Sequence, residues 1–194
     1  MARLIRSAKS ANAWTTGDLD SYNITLLPQD AMAFFEIQQL PQTQVHPEIL
    51  TVQNSENMAI AANQELVTLL EDAMVEDPVR EEAPVNDFAV QLLRTLHFSL
   101  GRRICHVGKD LHLIISGERR HAKPDICIVD HNQHNTLPLI QENKRVGSSD
   151  LVRENAGAQL IAEAIAAFTW NNCRRQQGGL PLLEQQVCAG HLSP

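Results

Sequence analysis

Three residues combine types and spacing that could do chemistry together: Asp125, Glu142 and Lys144. Asp125 follows Pro124 at the head of a short apolar run, and Glu142 and Lys144 lie two apart at the end of the next one. Residues two apart on a strand point the same way, so neighbouring strands would bring all three to one edge of a sheet. Two carboxylates are hard oxygen donors for a divalent cation such as Mg2+ or Mn2+, and the Asn143 carbonyl between the motif residues is a natural further ligand. Such an ion polarises a phosphate and acidifies a bound water, while an ammonium such as that of Lys144 offsets the charge that develops during attack. This is equipment for metal-dependent phosphodiester hydrolysis. Its plainer alternative is a strand cap at Asp125 and a same-face ion pair between Glu142 and Lys144.

The elements that must position these residues are legible nearby. Val85, Phe88, Ala89, Leu92, Leu93 and Leu96 repeat at helical spacing, which predicts a helix from about Glu82 to Leu100 that stops at Gly101. Three strands are expected next, over Leu111–Ser116, Asp125–Asp130 and Leu137–Lys144. Each has an apolar middle, as in strands covered on both faces. A second helix, from about Leu151 to Trp170, carries Leu160, Ile161, Ala164, Ile165 and Phe168 on one side, and its alanines allow close approach to a sheet. The order helix, strand, strand, strand, helix is that of an α/β layered domain.

The run His121-Ala122-Lys123-Pro124-Asp125, followed after a hairpin by Glu142-Asn143-Lys144, resembles the PD…(D/E)xK signature of the restriction-endonuclease-like nuclease superfamily. The chain is also similar to a family of fungal proteins in the stretches 86–96, 121–130 and 159–168. The nuclease resemblance covers about residues 82–175 and implies an α-β-β-β-α-(β) core, a central mixed sheet flanked by helices. The tail from Gly178 to Pro194 leaves room for a brief final strand at most, so the last strand is expected to be shortened or lacking.

The resemblance implies Asp125, Glu142 and Lys144 as catalytic residues, with Asp125, Glu142 and Asn143 at the metal. It further implies an acid on the first helix, for which Glu82 is the candidate ahead of Asp87 and Glu81. It also implies a glutamine on the second helix, for which Gln159 is the candidate. His121 and Lys123 precede the motif strand and Arg145 follows Lys144, so these three are candidate phosphate contacts. Acids at a helix start also simply complement its dipole.

Charge is divided unevenly. Residues 1–87 hold 4 Lys/Arg against 14 Asp/Glu (net −10), and residues 88–194 hold 12 against 9 (net +3). The overall charge of −7 argues against unselective nucleic-acid binding. The half with the motifs nevertheless carries the doublets Arg102-Arg103, Arg119-Arg120, Lys144-Arg145 and Arg174-Arg175. Cys105, Cys127, Cys173 and Cys188 lack the spacing of a zinc site or a disulfide framework and read as reduced thiols. Neither a secretory signal nor an apolar run long enough for a membrane span is found, which predicts an intracellular protein, cytoplasmic or nuclear.

Residues 1–80 read as a partly helical N-terminal extension and 81–194 as the nuclease-like domain. The extension is expected to contain a short helix around Met32–Phe35, an irregular connection over Gln38–Gln53 and a helix within Asn57–Met74, ahead of an acidic linker. Expected partners are nucleic acid, DNA before RNA, and a second copy or another protein through the N-terminal half. The alternative function is that of a protein that keeps the fold and binds without cutting.

Overall fold

The helix over Ala83–Thr95 (α5 below) ends where its backbone turns left-handed. His97 has φ +62°, its N–H bonds the Arg94 carbonyl at 3.0 Å, and Phe98 N–H reaches back to Leu93 at 2.9 Å. These two bonds close the helix in a Schellman turn, with His97 at the position glycine usually holds. The expected stop at Gly101 is therefore corrected to a point several residues earlier, and Leu96 lies beyond the helix.

The computed structural model describes residues 6–27, 29–42, 45–75, 83–132, 136–142, 150–186 and 189–192. Among the described residues, α-helices occupy Thr16–Ser21 (α1), Ala31–Phe35 (α2), Pro47–Thr51 (α3), Ala61–Met74 (α4), Ala83–Thr95 (α5) and Asp150–Gln177 (α6). Strands occupy Arg103–Val107 (β1), Leu111–Ile115 (β2), Glu118–Ala122 (β3), Ile126–Asp130 (β4), Thr136–Glu142 (β5) and Ala189–Leu192 (β6). The fold is mixed α/β. A short helix and a longer one stand in the Met32–Phe35 and Asn57–Met74 regions as expected, while α3 falls inside the stretch read as irregular.

The main sheet has the order β1-β4-β5-β6. β4 is antiparallel to both β1 and β5, and β6 is parallel to β5. All five β4 residues are buried because the strand is covered on both faces. Ile126 and Ile128 pack with Ala89 and Leu93 of α5, while Cys127 and Val129 pack with Ala158, Ala162, Ala166 and Ala167 of α6. The small alanine side chains let α6 lie close over the strands.

The run Leu111–Ser116 was expected as a strand of that sheet and instead forms a separate two-stranded sheet with β3. Burial alternates along it: Leu111 and Leu113 are fully buried, whereas His112 and Ile114 are exposed, so one face packs and the other is left outside. Ser116 (φ +51°) and Gly117 (φ +78°) make the tight turn, both left-handed as such hairpins require. The place in the main sheet goes to β1, whose sequence Arg-Ile-Cys-His-Val gave weak strand signals. β6 supplies the short final strand. Asn172 holds the returning chain by accepting from Leu183 N–H at 2.7 Å and donating to the Leu183 carbonyl at 3.1 Å.

The first residues complete the α6 side. Ala11, Trp14 and Leu19 belong to the same core cluster as Leu111, Leu113 and the α6 alanines. Trp14 is 2 % exposed and stacks on Tyr22 with ring centroids 5.3 Å apart. On the opposite side α4 packs along α5. Among the described residues no helix is long and apolar enough to cross a membrane.

Candidate active site at the head of the central strand

Asp125 stands immediately before β4, half-buried, behind a fully buried Pro124. Its carbonyl accepts the Gly108 N–H at 2.9 Å, which extends the β1–β4 ladder by one step and fixes the backbone where the β2–β3 hairpin leaves the sheet. Gly108 is needed there. Its φ is +59°, and a Cβ would come within 3.0 Å of the Lys123 Cε.

The β4–β5 register pairs Ile128 with Leu139, Cys127 with Ile140 and Ile126 with Gln141. Continued by one position, it sets Glu142 across from Asp125. Opposed positions in an antiparallel ladder share a face of the sheet. The alternation of β4 assigns that face: Cys127 and Val129 look toward α6, and Asp125 falls in the same series. The two predicted carboxylate positions thus meet at one end of the sheet. Asn143, Lys144, Arg145 and Glu82 lie outside the described residues.

Gln159 lies on α6, partly buried, and donates from Nε2 to Glu163 Oε1 at 3.0 Å. Glu163 is 0 % exposed and close enough to Cys127 for its charge to act on the thiol. From Glu163 back to Gln159 is one helical turn, about 6 Å, and from Cys127 back to Asp125 is two strand residues, about 6.6 Å. Both steps run toward the same end of the sheet, because the β5–α6–β6 crossover returns the chain parallel to β5. Gln159 therefore stays on the side of Asp125. Glu163 was missed in the sequence, although its spacing from Ala166 and Ala167 places an acid on the alanine stripe.

The remaining candidates sit on the hairpin. His121 is exposed, with Nδ1 at 3.0 Å from the Asp110 carboxylate, and Lys123 is exposed beside Gly108. His121 lies on the outer face of β3, away from α6.

Local electrostatics limit what other groups can do. Burial pushes the Cys127 thiol up to about 12; the Lys109 ammonium opposes this, and Cys105 and Glu163 add to it. It stays protonated at neutral pH, which makes it a poor thiolate nucleophile. Cys105 is also raised by burial, against the Arg94 charge. His106 is lowered by burial, then by the Lys109 and His131 charges, which keeps its imidazole neutral at pH 7.

Among the described residues no group of three or more His, Cys, Asp or Glu side chains is gathered for a metal ion. The two residue types at the β4–β5 end, Asp125 and Glu142, are ones whose carboxylates can serve a hard cation. No family model, no curated protein and no solved structure matches the chain.

Proposed function

We propose that the protein is a metal-dependent nuclease that hydrolyses phosphodiester bonds in DNA, with Asp125, Glu142 and Lys144 as its catalytic residues. The observation that carries this reading is the β4–β5 register, which sets the positions of Asp125 and Glu142 opposite each other where β4 begins and β5 ends. The element order lends further support. With the β2–β3 hairpin set aside as an insertion, α5, β1, β4, β5, α6 and β6 run in the α-β-β-β-α-β order that the sequence resemblance implies.

Asp125 and Glu142, with the Asn143 carbonyl, would hold Mg2+ or Mn2+. That ion, when bound, supplies a polarised phosphate and an acidified water. Lys144 follows Glu142 by two residues and would place its ammonium against the attacked phosphate, where it stabilises developing negative charge. Gln159, oriented by Glu163, would offer its amide to the water or to a phosphate oxygen.

The test is cleavage of single- and double-stranded DNA and RNA with Mg2+, Mn2+ or EDTA, comparing the parent with Asp125→Ala and Lys144→Ala. Metal-dependent cutting of DNA that both substitutions abolish, in proteins with unchanged circular dichroism, is the expected result. A folded parent that cuts nothing with either metal would instead support a binding protein that retains the fold.

A further inference from the structure

We propose that the outer face of the β2–β3 hairpin is the surface that seats double-stranded DNA, entering the major groove as a two-stranded ribbon. Calling that DNA a substrate rests on the nuclease reading above; the binding itself does not.

The hairpin has two unlike faces. Leu111, Leu113 and Ala122 close one of them against α6. On the other, His112 stands opposite His121 and Ile114 opposite Arg119. The register continued by one step puts Asp110 opposite Lys123. All six are exposed. Arg119 and Lys123 are the cations and Asp110 the acid, so with the histidines counted neutral the face carries +1 in a chain whose net charge is −7. The acid among the six is engaged, since both Asp110 carboxylate oxygens lie 3.0 Å from His121 Nδ1. The Arg119 guanidinium lies against the His112 ring, which restrains a side chain otherwise free to rotate.

A polyanion is the partner that this face complements, because phosphates gain from fixed cations through counterion release. Its shape selects among polyanions. The major groove of B-form DNA is about 12 Å wide and admits a two-stranded β-ribbon, whereas that of A-form RNA is too deep and narrow. Ile114, 57 % exposed opposite Arg119, suits apolar contact with a thymine methyl. The ribbon is also aimed usefully. Its base is the Gly108–Asp125 hydrogen bond, so DNA held along it leads to the head of β4.

The experiment is fluorescence anisotropy with a short DNA duplex in EDTA over a salt series, which needs no turnover. Arg119→Ala and Lys123→Ala should each weaken binding severalfold and lower the salt slope by about 1. Arg94→Ala on α5, a cation of the opposite side of the sheet, should leave binding unchanged. A duplex RNA should bind more weakly than the DNA. Equal affinity of parent and hairpin variants, equal binding of duplex RNA, or no DNA binding by the folded parent would each overturn the proposal. Hairpin-dependent binding without cleavage would keep the ribbon and remove the nuclease. Cleavage lost in Lys144→Ala, with binding indifferent to the hairpin variants, would do the reverse.

Discussion

Gln159 and Glu163 are joined across one turn of α6, Nε2 to Oε1 at 3.0 Å, and Glu163 is closed off from solvent in a layer of alanines. A carboxylate in such a layer is costly unless it is hydrogen-bonded. The contact therefore gives the buried Glu163 Oε1 a donor and fixes the Gln159 amide one turn nearer the head of β4 than the carboxylate.

Replacing Glu163 by alanine should cost about 2–4 kcal/mol, from the cavity left and the lost hydrogen bond. Glu163→Gln keeps the shape and an acceptor for Gln159 and should cost far less. Urea denaturation measures both; an alanine variant as stable as the parent would show that the carboxylate is not an integral part of the α6–sheet packing.

Cys127 should resist thiol reagents at pH 8 in the folded protein, while exposed Cys173 reacts at once. The same shift predicts an alkaline slope in stability. The folded thiol titrates near 12 against 9.0 for the free group, so above pH 9.0 the unfolded chain loses a proton that the folded chain keeps. Stability is unaffected below pH 9.0 and falls between there and about 12. Chemical denaturation across that range should show the decline, and Cys127→Ala should remove part of it.

Asp18 anchors the start of α1. Its carboxylate accepts from Thr15 N–H at 2.9 Å and Thr15 Oγ1 at 2.8 Å, and pairs with Lys9 at 2.8 Å. Burial raises its pKa, but the Lys9 and Thr15 bonds outweigh it and leave the group below 3.8. Its stabilisation is thus complete above pH 3.8 and is lost as pH falls through the folded value. Asp18→Ala should cost about 1–2 kcal/mol at pH 7 and proportionally less in acid, as thermal unfolding at the two pH values would report.

His97 closes α5 from a left-handed conformation that a side chain disfavours. His97→Gly should therefore stabilise the protein by about 0.5–1 kcal/mol, read as a shift in the denaturation midpoint with unchanged slope. A loss of stability would mean that the ring makes contacts worth more than the backbone strain it imposes.

Much of the chain's local order was legible from residue types alone. Apolar spacing marked α5 and the body of α6, and the continuous run at Ile126–Val129 announced a strand covered on both faces, because periodicity is a local property. The trio Asp125, Glu142 and Lys144 could likewise be chosen by type and by its spacing of two.

Tertiary structure decided which strands are neighbours. Pairing is chosen by long-range burial, so nothing within Leu111–Ser116 could tell that one of its faces would be left outside the main sheet, nor that Arg103–Val107 would take the place beside β4. The same holds for Trp14 and Leu19, far from α6 in sequence yet part of its core. It holds for the site as well. The sequence named Asp125 and Glu142 as a pair of acids, but only the register of β4 on β5 made them opposite positions, and only the packing of α6 revealed Glu163 as a buried carboxylate near Cys127.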